Sequence, residues 1–310
     1  MPPSAPSIVI ILTWFGPWPD WMRFFLASCA WNPSIDWAIW SDQAAPSDLP
    51  PNVRVFTLDF DAYSALVAER LDMSPRWRNA YKLCDLKPAL GWAHRDLSRS
   101  YDRWGFGDLD VIYGDIRATY DPATLDHDLV SSHDDIVSGH LSILRTTPRM
   151  LRAFEKIPGW RDMLSRDEHV SFDEQVFSRL FLLRKGVRNL RRFVTPYLGG
   201  GLFVERHSTD LPPRRWIDGT RAFPRTWRWR EGKLTADGAP GREFLYLHFS
   251  HWQSDRWTPD GRAAWKTLAR LDNCPPGPLE AFEVSAEGFS PARIDAATFR
   301  PLARARRVAS

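Results

Sequence analysis

The chain has 310 residues, of which 44% are hydrophobic, and its 41 basic and 38 acidic residues leave a net charge of +3. This length fits one large or two ordinary domains with a sizeable core. The near balance of charge gives no general attraction for nucleic acid, so we expect no nucleic-acid partner. The three cysteines are widely spaced and form no CxxC pair, which argues against a disulfide framework or a zinc site.

The longest apolar run near the N-terminus, Ile8 to Leu12, stops at Thr13 and follows no basic segment. It is too short for a signal peptide or a membrane span. We therefore expect a cytoplasmic protein with no transmembrane segment. Peripheral contact with the inner face of a membrane is compatible with this location.

The first part of the chain predicts strands that alternate with helices, which favours an α/β fold. Ser7 to Leu12 is a β-branched run typical of a buried, parallel central strand. The loop after it carries Trp14 and Phe15, and loops after the strands of open α/β sheets form the ligand crevice. These two rings are therefore candidates for stacking on a nucleobase, with packing against the top of the sheet as an equal alternative.

Local patterns predict the next elements. They are a helix over 20–30 with Asp20 as N-cap, strands over 36–40 and 52–58, and a helix that starts with Asp61 as its cap. Asp42, which closes the second strand, is a further candidate for binding a nucleotide donor.

Asp108 and Asp110 form a D-x-D pair just before an apolar strand, Val111 to Tyr113, with glycines on both sides. Residues i and i+2 of an extended segment share a face, so both carboxylates can address one point. Paired carboxylates suit a hard divalent cation, Mn²⁺ or Mg²⁺, that also holds substrate phosphates. The D-x-D patterns at 59–61 and 126–128 are interpreted as a helix cap and a solvated loop.

The segment 79–92 is predicted to be a helix, interrupted or bent near Pro88. Lys82 and Lys87 are candidates for binding a diphosphate, and a solvated helix face is the alternative. Asp85 lies between them and can pair with either lysine.

A strand over 135–144 is predicted to contain Gly139 and His140. Glycine within a strand often marks the close approach of a ligand, so both residues are binding candidates, although a structural histidine is the slightly favoured alternative. Asp173 and Glu174 either begin a helix, where the dipole favours acidic residues, or form a second catalytic cluster.

The segment 225–230 alternates cationic and aromatic residues. An exposed edge strand with protective charges is favoured there over a nucleic-acid site. A late strand over 244–251 carries His248 and His251 near its end. Beyond Trp257 the chain is rich in proline, alanine and arginine, which predicts an extension and no second catalytic domain.

Together these motifs resemble a bacterial family of glycosyltransferase-like proteins catalogued as a domain of unknown function, and more distantly the GT-A-fold, nucleotide-sugar-dependent glycosyltransferases with a D-x-D motif. The resemblance covers about the first 250 residues. It rests on the segments Tyr81–Gly91, Trp104-Gly105, Gly107–Asp115, Gly139-His140, Phe172–Glu174, His248-Phe249 and Trp252.

The resemblance implies a GT-A-like α/β fold, with a mixed, mostly parallel central sheet flanked by helices. It divides the chain into a catalytic domain, 1–255, and a C-terminal extension, 256–310. Asp108 and Asp110 match the metal-binding D-x-D, and His248 or His251 matches the histidine that completes the coordination. Asp173 and Glu174 match the acidic motif near donor and acceptor, and Asp85 and Lys87 lie about where related enzymes carry an Asp…Arg pair.

The function that follows is a metal-dependent glycosyltransferase of the hexosyltransferase type. It would move a sugar from a nucleotide-diphosphate donor to a glycan or another hydroxyl acceptor, in bacterial surface polysaccharide synthesis. One alternative keeps the metal and changes the reaction to that of a nucleotidyltransferase or phosphoester hydrolase. The other is a non-catalytic glycan-binding protein that uses the 16 tryptophans of the chain.

Overall fold

The computed structural model describes residues 5–74, 77–182, 200–206, 214–253 and 279–291. Most strands belong to two sheets. The strands are β1 Ile8–Trp14, β2 Ile35–Ser41, β3 Val53–Thr57, β4 Arg103–Gly107, β5 Val111–Tyr113, β6 Leu129–Ser131, β7 Leu141–Arg145, β8 Gly201–Phe203, β9 Thr226–Arg230, β10 Lys233–Ala236, β11 Tyr246–His248, β12 Ala281–Ser285 and β13 Gly288–Pro291.

The larger sheet has the strand order β3-β2-β1-β4-β7-β6-β8. β3, β2, β1 and β4 run parallel, β7 is antiparallel to both of its neighbours, and β8 is parallel to β6. This confirms the predicted α/β class with a mixed, mostly parallel central sheet. The chain crosses from β1 to β2 on one side and β4 lies on the other, so the strand order reverses at β1, where open sheets place their ligands.

Helices cover both faces of this sheet. Along β1, Val9 and Ile11 pack into one core cluster, whereas Ile8, Ile10 and Leu12 pack into the other. This is the alternation that a strand with two buried faces requires. The helices are α1 Met22–Ala30, α2 Phe60–Arg70, α3 Leu83–Ala93, α4 Arg95–Ser98, α5 Ile116–Thr119, α6 Pro148–Leu151 and α7 Trp160–Ser165. Among the described residues, no helix combines the length and apolarity that a membrane crossing needs.

Two predicted helix caps are wrong. Asp59, and not Asp61, caps α2, because its carboxylate accepts from the amide of Ala62. Asp20 does not cap α1, which begins after Trp21 without a side-chain cap. The helix α3 follows a 3₁₀ turn at Ala80–Lys82 and continues through Pro88 without interruption.

The second sheet has the order β10-β9-β12-β13. The predicted edge position of segment 225–230 is wrong, because β9 lies between β10 and β12. Its tryptophans, Trp227 and Trp229, are buried and its arginines are exposed. β12 and β13 belong to the predicted C-terminal extension, and the division of the chain at residue 255 stays a prediction.

The predicted strand over 135–144 begins later in the structure, after a loop over 132–140. Gly139 and His140 do not lie within a strand, since β7 begins at Leu141. The Ser131 hydroxyl accepts from the amide of Ser138 and donates to the carbonyl of Ile136, which folds this segment into a turn between β6 and β7. The turn delivers Gly139 and His140 to the edge where β4 ends.

Candidate active site

A cleft of about 420 Å³ opens at the carboxyl ends of β1 and β4. Its walls come from the end of β1, the first turns of α3, the turn between β4 and β5, the loop before β7, the segment 169–174 and the end of β11. These segments are far apart in sequence, and the parallel strands β1 and β4 bring their carboxyl ends to one edge of the sheet.

Asp108, Asp110 and His248 lie together at this edge. Each offers a ligand atom, and these atoms all lie within 4.8 Å of one another. Nε2 of His248 is 3.4 Å from Oδ1 of Asp110. The strand β11 pairs with β5 so that His248 stands opposite Val111, one residue after Asp110. Two carboxylates and an imidazole suit Mn²⁺ or Mg²⁺, and these three residues could together hold one such ion.

The electrostatics of this group favour a cation. Burial would lower the pKa of His248, but the Asp110 carboxylate holds it above its usual range. Burial would raise the pKa of Asp110, but His248 holds it below its usual range. Burial raises the pKa of Asp108 against the opposing charge of Lys87. The carboxylates that raise the pKa of His248 would likewise attract a divalent ion, which would bind the imidazole in its neutral form.

Lys87 links the predicted metal ligands to the acidic pair. Its ammonium donates to Oδ1 of Asp108 at 2.6 Å and to the carbonyl of Gly139 at 3.0 Å, and it lies 3.8 Å from Oδ2 of Asp173. Burial would lower the pKa of Lys87, but the surrounding charges, that of Asp108 first, keep it well above the usual value. Lys87 is therefore a permanent cation on the wall of the cleft.

Asp173 and Glu174 stand on a π-helical turn, Phe172–Val176, that follows Ser171 in the left-handed region at φ 53°. π-Turns and such strained residues occur frequently at functional sites. Burial raises the pKa of Asp173 to about 8, against the charge of Lys87. A Cβ at position 139 would lie 2.9 Å from Oδ2 of Asp173, so only glycine lets the chain approach this closely.

Lys82 and Asp85 lie outside the cleft lining, so the structure does not bring these two candidates to the site. Both are fully buried, and Lys82 donates to Oδ2 of Asp85 at 2.8 Å and to the carbonyls of Met163 and Glu168. Asp85 also accepts from the amides of Val170 and Phe172. The pair anchors the segment that leads into the acidic turn.

Of the remaining candidates, His140, Trp14 and Phe15 line the cleft. The His140 ring stacks on that of His248 with centroids 4.1 Å apart, which fixes the plane of the predicted ligand. Phe15 also packs on Phe60 and Tyr63.

Asp42 does not belong to the cleft lining. Asp42 is exposed, and its Oδ1 accepts from the amide of Gly16, so it holds the loop after β1. The side chain of His251 lies outside the described residues.

Sequence reasoning missed three residues that line the cleft, namely Tyr81, Cys84 and His169. Cys84 precedes Lys87 by about one helical turn, so helical periodicity starting from Lys87 could have found it, whereas Tyr81 lies on the 3₁₀ turn before α3. His169 precedes Asp173 by four residues, and its Nε2 lies 3.9 Å from Oδ1 of that carboxyl.

A family model described as a family of unknown function, DUF6625, matches residues 10–262. A search of curated proteins finds no significant match.

Several solved structures are similar in fold. The galactosyltransferase LgtC, in complex with donor and acceptor sugar analogs, is 10% identical, with a TM-score of 0.37 over 84% of this chain and 95% of that one. A glycosyltransferase involved in the glycosylation of the major capsid of PBCV-1 is 9% identical, with a TM-score of 0.35 over 66% and 83%. Mouse xyloside xylosyltransferase 1 is 11% identical, with a TM-score of 0.33 over 66% and 87%.

Proposed function

The chain belongs to the DUF6625 family, whose function is unknown, and we propose that it is a metal-dependent glycosyltransferase that uses a nucleotide-diphosphate sugar. One observation carries this proposal. Asp108, Asp110 and His248 converge within 4.8 Å of one another, in the same cleft as the acidic turn with Asp173 and Glu174.

In this proposal, Asp108, Asp110 and His248 hold Mn²⁺ or Mg²⁺. The ion would neutralise the charge that develops on the leaving diphosphate, an effect worth on the order of several kcal/mol. Lys87 supplies a second, permanent positive charge beside Asp108. Trp14 and Phe15, at the end of β1, offer flat faces to the nucleobase.

The acidic turn positions the acceptor hydroxyl. A carboxyl whose pKa lies near neutrality exchanges protons readily at the pH of a cell, and that of Asp173 is raised to about 8 by burial. Glu174 accepts from the amide of Gly139 at 3.2 Å, so its carboxylate is fixed beside that of Asp173. We assign Asp173 as the proton acceptor and Glu174 as its neighbour that orients the hydroxyl.

The sequence resemblance described above supports the wider assignment, a hexosyltransferase of bacterial surface polysaccharide synthesis that works in the cytoplasm at the inner face of the membrane. We propose a nucleotide-sugar donor and a glycan acceptor as partners, and the nearly balanced charge of the chain gives no general attraction for nucleic acid.

A thermal-shift panel of nucleotides and nucleotide sugars, with and without Mn²⁺, tests the proposal. A ligand present at a hundred times its Kd raises the free energy of unfolding by about 2.7 kcal/mol. We expect a shift that needs both Mn²⁺ and one nucleotide sugar. A saccharide-induced shift that EDTA does not change would indicate a glycan-binding protein. Formation of a nucleotide sugar from NTP and sugar phosphate would indicate a nucleotidyltransferase.

Asp110→Asn keeps the size of the side chain and removes the charge that holds the metal. We expect donor turnover to fall by at least a hundredfold and the Mn²⁺-dependent thermal shift to disappear, because the amide is a weaker ligand for a hard cation. Asp126→Asn is the matched control, since Asp126 belongs to another D-x-D pattern and its side chain is 85% exposed. Near wild-type turnover in Asp110→Asn would disprove the metal assignment.

A further inference from the structure

Tyr81 is an exposed aromatic side chain within the cleft. Its side chain is 60% exposed, which is more than Trp31 and Phe56, the other large hydrophobic side chains that are exposed among the described residues. Of these three side chains, only that of Tyr81 lines the cleft. Single exposed aromatics on an open surface are ordinary. In a cleft, the same ring gives an incoming ligand a flat apolar face.

The backbone of Tyr81 is anchored at the neighbouring residues, and its ring packs against one other ring. The amide of Tyr81 donates to Oδ1 of Asn79 at 2.9 Å, and the next residue is the buried Lys82, which is bound to two carbonyls and a carboxylate. The His169 ring packs against Tyr81 with centroids 4.8 Å apart. A tyrosine fixed in this way loses little conformational entropy when a ligand binds.

Tyr81 stands on the wall that carries the acidic turn. His169 contacts both the Tyr81 ring and, at 3.9 Å, Oδ1 of Asp173. That carboxylate oxygen is buried and has no hydrogen-bond partner among the residues that the structure describes. The other aromatic pair of the cleft, Trp14 at the end of β1 and Phe15 directly after it, belongs to a different wall. The cleft thus has one aromatic face for a nucleobase and a second beside the carboxyl assigned as proton acceptor.

We propose that Tyr81 and His169 form the acceptor subsite and that the acceptor is a saccharide. This inference rests on the proposed glycosyltransferase function. A pyranose has an apolar C–H face that fits an aromatic ring and a polar edge that fits the charged groups around Asp173. An acyl chain would displace water from these charged groups without replacing its hydrogen bonds, at a cost in free energy.

The reaction at this subsite is a balanced substitution. The acceptor hydroxyl gives its proton to the carboxylate of Asp173, and its oxygen forms a bond to the anomeric carbon of the donor sugar. The bond between that carbon and the diphosphate oxygen breaks, and the nucleoside diphosphate leaves with the electron pair.

The test compares wild type with Tyr81→Ala and Tyr81→Phe, in the presence of Mn²⁺ and the donor found in the thermal-shift panel. The acceptor probes are p-nitrophenyl mono- and disaccharides, a serine-containing peptide and a diacylglycerol. Transfer and donor hydrolysis are measured together. We expect transfer to a saccharide probe, with the acceptor KM at least tenfold higher in Tyr81→Ala and within about threefold of wild type in Tyr81→Phe. Phe56→Ala, which truncates an exposed ring outside the cleft lining, controls for loss of surface aromatic area.

The possible outcomes separate this inference from the proposed function. If Tyr81→Ala weakens binding of the nucleotide alone, Tyr81 belongs to the nucleobase site, and the inference fails. If it weakens binding of the nucleotide sugar and not of the nucleotide, Tyr81 contacts the donor sugar, and the inference again fails. An enzyme that hydrolyses its donor yet transfers to no saccharide probe, or only to the peptide or the diacylglycerol, overturns the saccharide assignment. Absence of any Mn²⁺-dependent nucleotide binding in wild type overturns the proposed function itself.

Discussion

His94 is a buried histidine whose surroundings keep it neutral. Its ring stacks on Trp40 with centroids 3.6 Å apart, and its Nε2 lies 3.1 Å from the hydroxyl of Tyr63. Burial, helped by the charge of Arg70, lowers the pKa of His94 to about 3. In the unfolded chain the same side chain titrates near 6.5, so acid protonates the unfolded state first.

This difference predicts a pH dependence of stability. The contribution of His94 is fully present above about pH 6.5. It is lost progressively as the pH falls toward 3, by up to about 1.4 kcal/mol per pH unit, because the unfolded state binds the extra proton. In His94→Phe this part of the slope should be absent. Urea denaturation at pH 7.5, 6 and 5 measures it, with His127→Phe, at an exposed position, as the control. Equal slopes in wild type and His94→Phe would contradict the prediction.

The strand β9 shows how one element joins two parts of the molecule. Trp229 is fully buried, donates to the carbonyl of Tyr113 at 2.8 Å and stacks on Phe282 with centroids 4.8 Å apart. On the opposite face, Arg228 pairs with Asp237 and Glu283 at half exposure. The alternation of cationic and aromatic residues thus places a hydrophobic and hydrogen-bonded face inward and a charged face outward.

Substitutions on the two faces of β9 should therefore differ in cost. Trp229→Phe leaves the Tyr113 carbonyl without its donor, and we expect a loss of about 1–3 kcal/mol in the free energy of unfolding. Arg228→Ala removes ion pairs that are made by a half-exposed guanidinium, and we expect less than about 1 kcal/mol. Urea denaturation of both variants measures the difference. A larger loss of unfolding free energy in Arg228→Ala than in Trp229→Phe would contradict the assignment of Trp229 to the buried face of β9 and of Arg228 to its exposed face.

The elements that the sequence predicted well are those with a strong local signal. The β-branched run of β1 and the apolar periodicity of α2 depend only on neighbouring residues. The position of β9 within its sheet depends on β12, whose Phe282 pairs with Trp229 more than fifty residues earlier in the chain. Local patterns carry no information on such pairing, which explains why the edge prediction failed.

At the scale of the molecule, the sequence indicated the acidic pairs and a late histidine as parts of the site. It did not indicate which of the two lysines faces the cleft. Residues five apart on a helical turn point about 140° away from each other, so Lys82 and Lys87 cannot both face the same space. Which one does depends on how α3 packs. Here Lys82 is buried with Asp85, whereas Lys87 reaches Asp108.

The proposed metal would join distant parts of the chain. Asp110 precedes β5, His248 ends β11, and the amide of Phe249 donates to the carbonyl of Asp110 at 3.1 Å. An ion bound to both side chains must be released before β11 can separate from β5. At a hundred times its Kd, the ion adds about 2.7 kcal/mol to the free energy of that opening, which corresponds to about a hundredfold slower amide exchange.

Hydrogen exchange with Mn²⁺ and with EDTA measures this effect. We expect the amides of residues 246–249 to exchange more slowly with Mn²⁺, and those of the turn between β9 and β10 to be unchanged, because that turn can open without disturbing the ligands. The difference should vanish in Asp110→Asn and persist in Asp126→Asn. Equal exchange of residues 246–249 in Mn²⁺ and EDTA would show that no ion bridges β5 and β11, and the assignment of His248 as a ligand would then be wrong.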